Sequence, residues 1–206
     1  MTYMFKNIEW LFFDVGSTLT DESAEVERRL NVIARSAKLP YSQVYDKTVQ
    51  LYKDHKNGNA EISKILGVAK PEWDINNEKL YPNTAETLKL LSKKYNIGII
   101  ANQPEGTARR LKKYGLLPYI KLVVSSFEEG VAKPDERIFR IALQRAGCAA
   151  DNAVMIGDRV DNDILPAKKV GMYTVWIKQG LGKYWQILDD SEKADFIIDN
   201  IEDLAD

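Results

Sequence analysis

An aspartate directly follows an apolar segment near the start of the chain. The run Ile8–Phe13 is typical of a buried strand, and Asp14 comes next, just before the small residues Gly16 and Ser17 of a tight turn. In open α/β sheets, ligands bind beyond the carboxyl ends of the strands, so a carboxylate at a strand tip can act on a ligand. The same residue type also suits a turn or a helix cap. Other segments must decide between these two interpretations.

Three later segments repeat this arrangement, each with polar side chains after an apolar run. They contain Asn102, Lys133, and the pair Asp158 and Asp163. Because parallel strands present their carboxyl ends at one edge of a sheet, we expect these side chains to converge on Asp14. The sequence therefore predicts one polar site that is assembled from four distant segments.

The residue types in this predicted site favour phosphoryl chemistry. Carboxylates gathered without a partner repel one another and raise each other's pKa values, so Asp14, Asp158 and Asp163 indicate a site for a hard cation such as Mg²⁺. Lys133 adds positive charge that can neutralise an aspartate or a phosphate oxygen. In such a site Asp14 would attack phosphorus and form an aspartyl-phosphate.

The strands that carry these residues alternate with helical patterns. A capping-box pattern at 83–86 predicts a helix over 87–95, and proline and acidic residues at 134–136 predict the first turn of a helix over 138–146. This alternation predicts an α/β fold with a Rossmann-like parallel sheet. The predicted strands are Ile8–Phe13, Ile97–Ala101, Lys121–Ser125, Ala153–Ile156, Met172–Ile177 and Asp195–Ile198.

The connection between the first two predicted strands is far longer than one crossover helix needs. We interpret residues 20–81 as a small inserted helical cap, with residues 1–19 and 82–206 forming the core. Because this insert begins just past the first strand, we expect it to lie over Asp14. Its predicted helices are Ala24–Leu39, Tyr41–Lys53, Ala60–Leu66 and Glu72–Leu80.

Composition is that of an ordinary soluble globular protein. The 206 residues are 45% hydrophobic and carry a net charge of −1, which gives no electrostatic footprint for nucleic acid or an anionic membrane. The single cysteine, Cys148, cannot form an internal disulfide, which favours a reducing, cytoplasmic setting. Residues 1–6 do not resemble a signal peptide, and we expect no membrane span. The oligomeric state stays open.

Four motifs in this order, with a helical insert after the first, resemble the haloacid dehalogenase (HAD) superfamily. The resemblance covers nearly the whole chain and extends to the subgroup with a helical cap at this position. The residues that carry it lie at 14–21, 81–82, 132–135 and 157–164.

This resemblance implies a HAD-like hydrolase, most often a Mg²⁺-dependent phosphatase of a small phosphorylated metabolite. It implies that Asp14, the Gly16 carbonyl and Asp158 bind the metal, with Asp163 supporting the metal shell. Asn102 and Lys133 would orient the phosphoryl group. The implied partner is therefore a small-molecule substrate.

Two positions depart from the family pattern. Gly16 stands where phosphatases of the family carry a second aspartate, which protonates the leaving group and then activates water. Loss of such acid–base help costs about 10²–10⁴ in rate. Ala101 stands where a serine or threonine hydroxyl normally binds the phosphoryl group, a loss of about 1–3 kcal/mol.

These departures leave four interpretations. The chain could be a phosphatase of substrates with good leaving groups, or one whose acid comes from elsewhere, such as Asp21, Glu22 or water. It could be a phosphate- and Mg²⁺-binding module with weak or absent hydrolysis. A haloacid dehalogenase needs no acid because halide leaves unprotonated. A phosphonatase-like enzyme would use a cap lysine, for which the candidates are Lys38, Lys47, Lys53 and Lys56.

Overall fold

The computed structural model describes residues 7–205. Within them, eight strands occur, six of which form one parallel sheet with the order β5-β4-β1-β6-β7-β8. The prediction for residues 1–6 lies outside the described residues. The strands are β1 (Trp10–Phe13), β2 (Thr20–Asp21), β3 (Lys79–Leu80), β4 (Asn96–Ala101), β5 (Leu122–Ser125), β6 (Ala153–Gly157), β7 (Tyr173–Ile177) and β8 (Phe196–Ile198).

All six predicted strands are confirmed as members of the parallel sheet, with ends that differ by at most two residues. The α/β fold class is thereby confirmed. Helices flank the sheet or fill the connection between β2 and β3. They are α1 (Ser23–Ala37), α2 (Tyr41–Lys53), α3 (Gly58–Ile65), α4 (Thr84–Leu91), α5 (Thr107–Lys113), α6 (Ser126–Glu129), α7 (Glu136–Ala146) and α8 (Leu165–Lys169).

The central strand β1 is buried on both faces. Leu11 and Phe13 pack into one apolar cluster and Trp10 and Phe12 into another, as the two-residue period of a strand requires. Burial on both sides explains why the parallel strands appear in the sequence as continuous apolar runs. On β4, a Cβ at Gly98 would lie 2.5 Å from the Phe12 ring, so the glycine makes room for this ring.

The long connection after β1 contains its own apolar cluster, formed by residues of α1, α2 and α3. Its two ends meet where β2 pairs antiparallel with β3, with Thr20 opposite Leu80. The predicted helix over Glu72–Leu80 is wrong: a 3₁₀ turn at Ile75–Asn77 leads into β3 instead. The Glu25 carboxylate accepts hydrogen bonds from the Asp74 backbone and the Asn77 side chain, which fixes this turn.

The predicted start of α4 is also corrected. The helix begins at Thr84, and Asn83 has a left-handed φ of 61°, so its side chain does not cap the helix. Its amide donates instead to Glu202, at 3.2 Å. The end predicted for α7 is confirmed, because Gly147 ends the helix at φ 60°. The helix begins at Glu136, and the Asp135 carboxylate caps it by accepting from the Arg137 backbone, so Pro134 lies before the first turn instead of in it. Within residues 7–205, no helix is long and apolar enough to cross a membrane.

Candidate active site

Four neighbouring strands, β5, β4, β1 and β6, bring the predicted polar residues to one edge of the sheet. Strand β1 lies between β4 and β6, and the pairing of Phe13 with Ile156 continues when the Asp14 backbone N–H donates to the Ile156 carbonyl, at 2.9 Å. Asn102 follows β4 and Asp158 follows β6. Lys133 and Asp163 reach the same edge from the segments after β5 and β6. The predicted convergence on Asp14 is therefore observed.

Lys133 links two of the carboxylates. Its Nζ donates to Oδ1 of Asp14 at 2.7 Å and to Oδ1 of Asp163 at 2.5 Å, and its side chain is fully buried. Burial alone would lower the pKa of Lys133, but the charges of Asp14 and Asp163 raise it above its usual value. The lysine therefore stays a cation at the centre of the site.

Asn102 holds the backbone of Lys133 in place. Its Nδ2 donates to the Lys133 carbonyl and its Oδ1 accepts from the Lys133 backbone N–H, both at 2.8 Å. This pair of hydrogen bonds uses the acceptor and one of the two amide protons, so one N–H is left for a ligand. The sequence indicated a phosphoryl contact for Asn102 but not this support of Lys133.

The three aspartates have the geometry of a cation site. One carboxylate oxygen from each of Asp14, Asp158 and Asp163 lies within 4.8 Å of the others. Burial raises the pKa of Asp158 well above its usual value, with the charges of Asp163 and Asp14 adding to the effect. Burial likewise raises the pKa of Asp163 to about 6, although Lys133 opposes this shift. One lysine cannot balance three carboxylates, so these oxygen donors fit a divalent hard cation.

Glycines allow this cluster to pack closely. A Cβ at Gly157 would lie 2.4 Å from Cγ of Asp163, and one at Gly182 would lie 2.3 Å from the Asp158 carbonyl oxygen. The indole N–H of Trp176 donates to the same Asp158 carbonyl, at 2.8 Å. Sequence reasoning missed Gly182 and Trp176, since only the fold brings them beside Asp158.

The turn after Asp14 is held by several hydrogen bonds to a single backbone carbonyl. The Val15 carbonyl accepts from the backbone N–H groups of Thr18, Leu19 and Thr20. Gly16 lies in this turn without a side chain, and the carboxyl of Glu22 occupies the adjacent space. Burial raises the pKa of Glu22 to about 8, with the charge of Glu78 as the next cause. A protonatable group therefore lies against Gly16, in the cleft that Asp14 also lines.

Ala101 is fully buried at the end of β4, next to Ser125 of β5 in the strand register. As predicted from the sequence, this position offers no hydroxyl to a ligand. The backbone N–H groups and side-chain amides that follow β4 are therefore the groups that can contact an anion at this position.

A cleft of about 700 Å³ opens over the cluster. The sheet edge contributes Asp14, Asn102 and Asp158 to its lining, and the long connection contributes Glu22 and Arg29 among others. Arg29 is buried, donates from Nε to the Pro71 carbonyl at 3.1 Å, and holds its guanidinium 5.2 Å from the ring centroid of Trp73. Sequence reasoning missed Arg29, because an arginine on an amphipathic helix is usually a surface residue.

Comparison with known proteins agrees with this geometry. The sequence is 30% identical to the glyceraldehyde 3-phosphate phosphatase of Pyrococcus furiosus, over 97% of this chain and 92% of that protein. The fold is similar to a crystal structure of a predicted phosphoglycolate phosphatase from Haemophilus somnus, with a TM-score of 0.70 and 19% identity over 97% of both chains. It is also similar to a 2-haloacid dehalogenase from Pseudomonas syringae, with a TM-score of 0.62 and 23% identity over 96% of both chains.

The structural likenesses concern the fold alone, since phosphatase and dehalogenase structures both match. A sequence model of one family covers most of this chain, from residue 8 to residue 171. That range includes Asp14, Asn102, Lys133, Asp158 and Asp163, the five residues that meet at the sheet edge. The chain therefore belongs to the haloacid dehalogenase-like hydrolases.

Proposed function

We propose that this chain is a Mg²⁺-dependent phosphatase of a small phosphorylated metabolite and acts through an aspartyl-phosphate on Asp14. The observation that carries this proposal is the buried Lys133, which pairs with Asp14 and Asp163 beside the Asp158 carboxylate. A structural ion pair needs two charges, whereas this cluster holds three acids and one base. The excess negative charge at the mouth of a cleft suits a cation and a phosphoryl group.

Each residue has a defined task in the proposed reaction. A carboxylate oxygen of Asp14 attacks phosphorus, and the bond from phosphorus to the ester oxygen breaks. Lys133 orients Asp14 and faces the phosphoryl oxygens, while the free N–H of Asn102 contacts one of them. Water then attacks phosphorus and releases Asp14 and inorganic phosphate.

The donor set for Mg²⁺ would be Asp14, the carbonyl of Gly16 and Asp158, with Asp163 supporting its surroundings. The ion would supply electrostatic stabilisation of charge on the phosphoryl group. Residues 20–81 would serve as a cap that excludes bulk water from the cleft, and residues 1–19 and 82–206 as the catalytic core. The single cysteine supports a cytoplasmic location.

The first substrate to test is glyceraldehyde 3-phosphate, because the Pyrococcus furiosus relative bears the name of a phosphatase for it. Arg29 and Lys70 also line the cleft and would contact the anionic groups of such a substrate. Acetyl phosphate and a nucleoside monophosphate provide comparison substrates with different leaving groups.

Phosphate release with and without Mg²⁺ tests the proposal directly. We expect wild-type turnover that requires the metal and is lost in Asp14→Asn. Asp46→Asn, at an exposed position on α2, is the matched control and should retain turnover. Equal release by wild type and Asp14→Asn would contradict the phosphatase and favour the binding module.

The dehalogenase alternative makes a different prediction. Halide release from short haloacids without added metal would support it, and the dehalogenase structure among the similar folds makes the assay worthwhile. The three clustered carboxylates argue for a metal-requiring reaction instead.

A further inference from the structure

The proposed reaction lacks one participant. When the ester bond breaks, an alkoxide leaving group needs a proton, and the water of the second step must lose one. Asp14 is the nucleophile, and Asp163 is held by Lys133. Gly16, two residues after Asp14, has no side chain to offer.

The space beside Gly16 is filled by a carboxyl group from another segment. A Cβ built on Gly16 would lie 2.3 Å from Oε1 of Glu22 and 2.8 Å from its Cδ. The Glu22 carboxyl thus occupies the volume that a side chain at position 16 would enter. Both Glu22 and Asp14 line the same cleft.

Two features fix the Glu22 carboxyl there. The hydroxyl of Ser17 donates to Oε2 at 2.9 Å, which leaves Oε1 on the side of Gly16. The backbone of Glu22 comes directly after β2, whose pairing with β3 sets the direction of the chain. Glu22 is also the residue before α1, but its side chain makes no capping hydrogen bond to that helix within the described residues. Helix capping therefore does not explain its position.

We propose that Glu22 is the proton donor and acceptor of the hydrolysis, in place of the side chain that Gly16 lacks. This inference rests on the proposed phosphatase function. In the first step Asp14 bonds to phosphorus, the ester P–O bond breaks, and the Glu22 carboxyl gives its proton to the leaving oxygen. In the second step water bonds to phosphorus, its proton goes to the Glu22 carboxylate, and the bond from phosphorus to Asp14 breaks.

The pairing of Gly16 with Glu22 also has a steric consequence. A side chain at position 16 and the Glu22 carboxyl cannot occupy the same volume. Gly16→Asp alone would therefore first have to displace Glu22. The informative variant is the double substitution Gly16→Asp with Glu22→Ala, which moves the carboxyl group from position 22 to position 16.

The test is Glu22→Gln, which keeps the shape of the side chain and an acceptor for Ser17 but removes the proton. We expect kcat/KM on glyceraldehyde 3-phosphate, whose alkoxide leaving group needs a proton, to fall by about 10²–10⁴, because kcat/KM reports the steps up to the loss of the leaving group. On acetyl phosphate, whose acetate leaves without a proton, the first step should be nearly unaffected and the loss in kcat/KM smaller by at least about tenfold. Glu27→Gln, at an exposed position on α1, is the control and should match wild type on both substrates.

The double variant provides the second measurement. If a carboxyl group in the space beside Gly16 serves as the acid, Gly16→Asp with Glu22→Ala should turn over glyceraldehyde 3-phosphate faster than Glu22→Ala alone. Gly16→Ala, which pushes the carboxyl away, should repeat the leaving-group dependence of Glu22→Gln. Circular dichroism of each variant verifies that the fold is retained.

The outcomes separate the two proposals. Wild-type turnover that depends on Asp14, with equal losses of kcat/KM on both substrates in Glu22→Gln, would overturn the role of Glu22 and leave the phosphatase standing. Absence of any turnover that depends on Asp14 would overturn both. A selective loss on glyceraldehyde 3-phosphate, restored in the double variant, establishes Glu22 as the acid and base.

Discussion

Nζ of Lys133 lies 2.7 Å from Oδ1 of Asp14, so the strand-tip carboxylate is paired with a fully buried cation. The same ammonium reaches Asp163 at 2.5 Å. Removing a buried charge that neutralises others leaves those charges uncompensated, which costs about 3–5 kcal/mol.

Lys133→Met should therefore destabilise the protein as well as abolish turnover. We expect a fall of about 3–5 kcal/mol in the free energy of unfolding, measured by urea denaturation at neutral pH without metal. Lys64→Met, at an exposed position on α3, is the control and should change stability by less than about 0.5 kcal/mol. Unchanged stability of Lys133→Met would mean that the carboxylates are neutral in the folded protein.

Asp158→Asn should stabilise the protein without metal but reduce its stabilisation by Mg²⁺. Because Asp158 is buried near Asp14 and Asp163, its charge is unfavourable when no cation is present. We expect a higher melting temperature than wild type in EDTA but a much smaller increase on addition of Mg²⁺. Thermal denaturation over a Mg²⁺ titration measures both, with Asp151→Asn as an exposed control. An undiminished Mg²⁺ response in Asp158→Asn would place the metal elsewhere.

Asn102→Ala tests the support of Lys133. It removes two hydrogen bonds of 2.8 Å to the Lys133 backbone, each contributing about 1 kcal/mol. We expect the free energy of unfolding to fall by about 2 kcal/mol. We also expect kcat to fall, because the Lys133 ammonium loses its fixed position. Asn31→Ala removes a single exposed hydrogen bond to the Glu27 carbonyl and serves as the comparison in urea denaturation and in the phosphate assay. Equal effects of the two substitutions would argue against this role of Asn102.

The buried Glu25 carboxylate should make the stability of the long connection between β2 and β3 depend on pH. Burial alone would raise the pKa of Glu25, but hydrogen bonds from Arg28, the Asp74 backbone and Asn77 lower it from 4.5 to about 2. Since the folded pKa is depressed, the ionised group stabilises the fold above pH 4.5, and this contribution is lost as the pH falls towards 2.

Glu25→Gln should therefore cost about 1–3 kcal/mol at pH 7 and progressively less below pH 4.5. Urea denaturation of wild type and variant at pH 7 and pH 3 measures the difference, with Glu27→Gln as the exposed control on the same helix. A difference that is as large at pH 3 as at pH 7 would show that the charge of Glu25 does not contribute.

Local sequence patterns were enough to predict the strands of the sheet but not the structure of the segment Glu72–Leu80. Strands buried on both faces need continuous apolar runs, so all six were visible in the sequence. The helical pattern over Glu72–Leu80 failed because the carboxylate of Glu25 and the pairing with β2 hold this segment in a turn and a strand. Such contacts join residues that are far apart in the chain and leave no local signal.

The residues of the candidate site could be predicted without a structure, because the order of strands and the polar residues after them place Asp14, Lys133 and Asp158 at one sheet edge. The group that lies beside Gly16 could not be predicted in this way. The pairing of β2 with β3 and the hydroxyl of Ser17 direct the Glu22 carboxyl into the space that the glycine leaves open. Strand order follows from connectivity and burial, whereas the direction of a side chain depends on contacts that form only after the chain has folded.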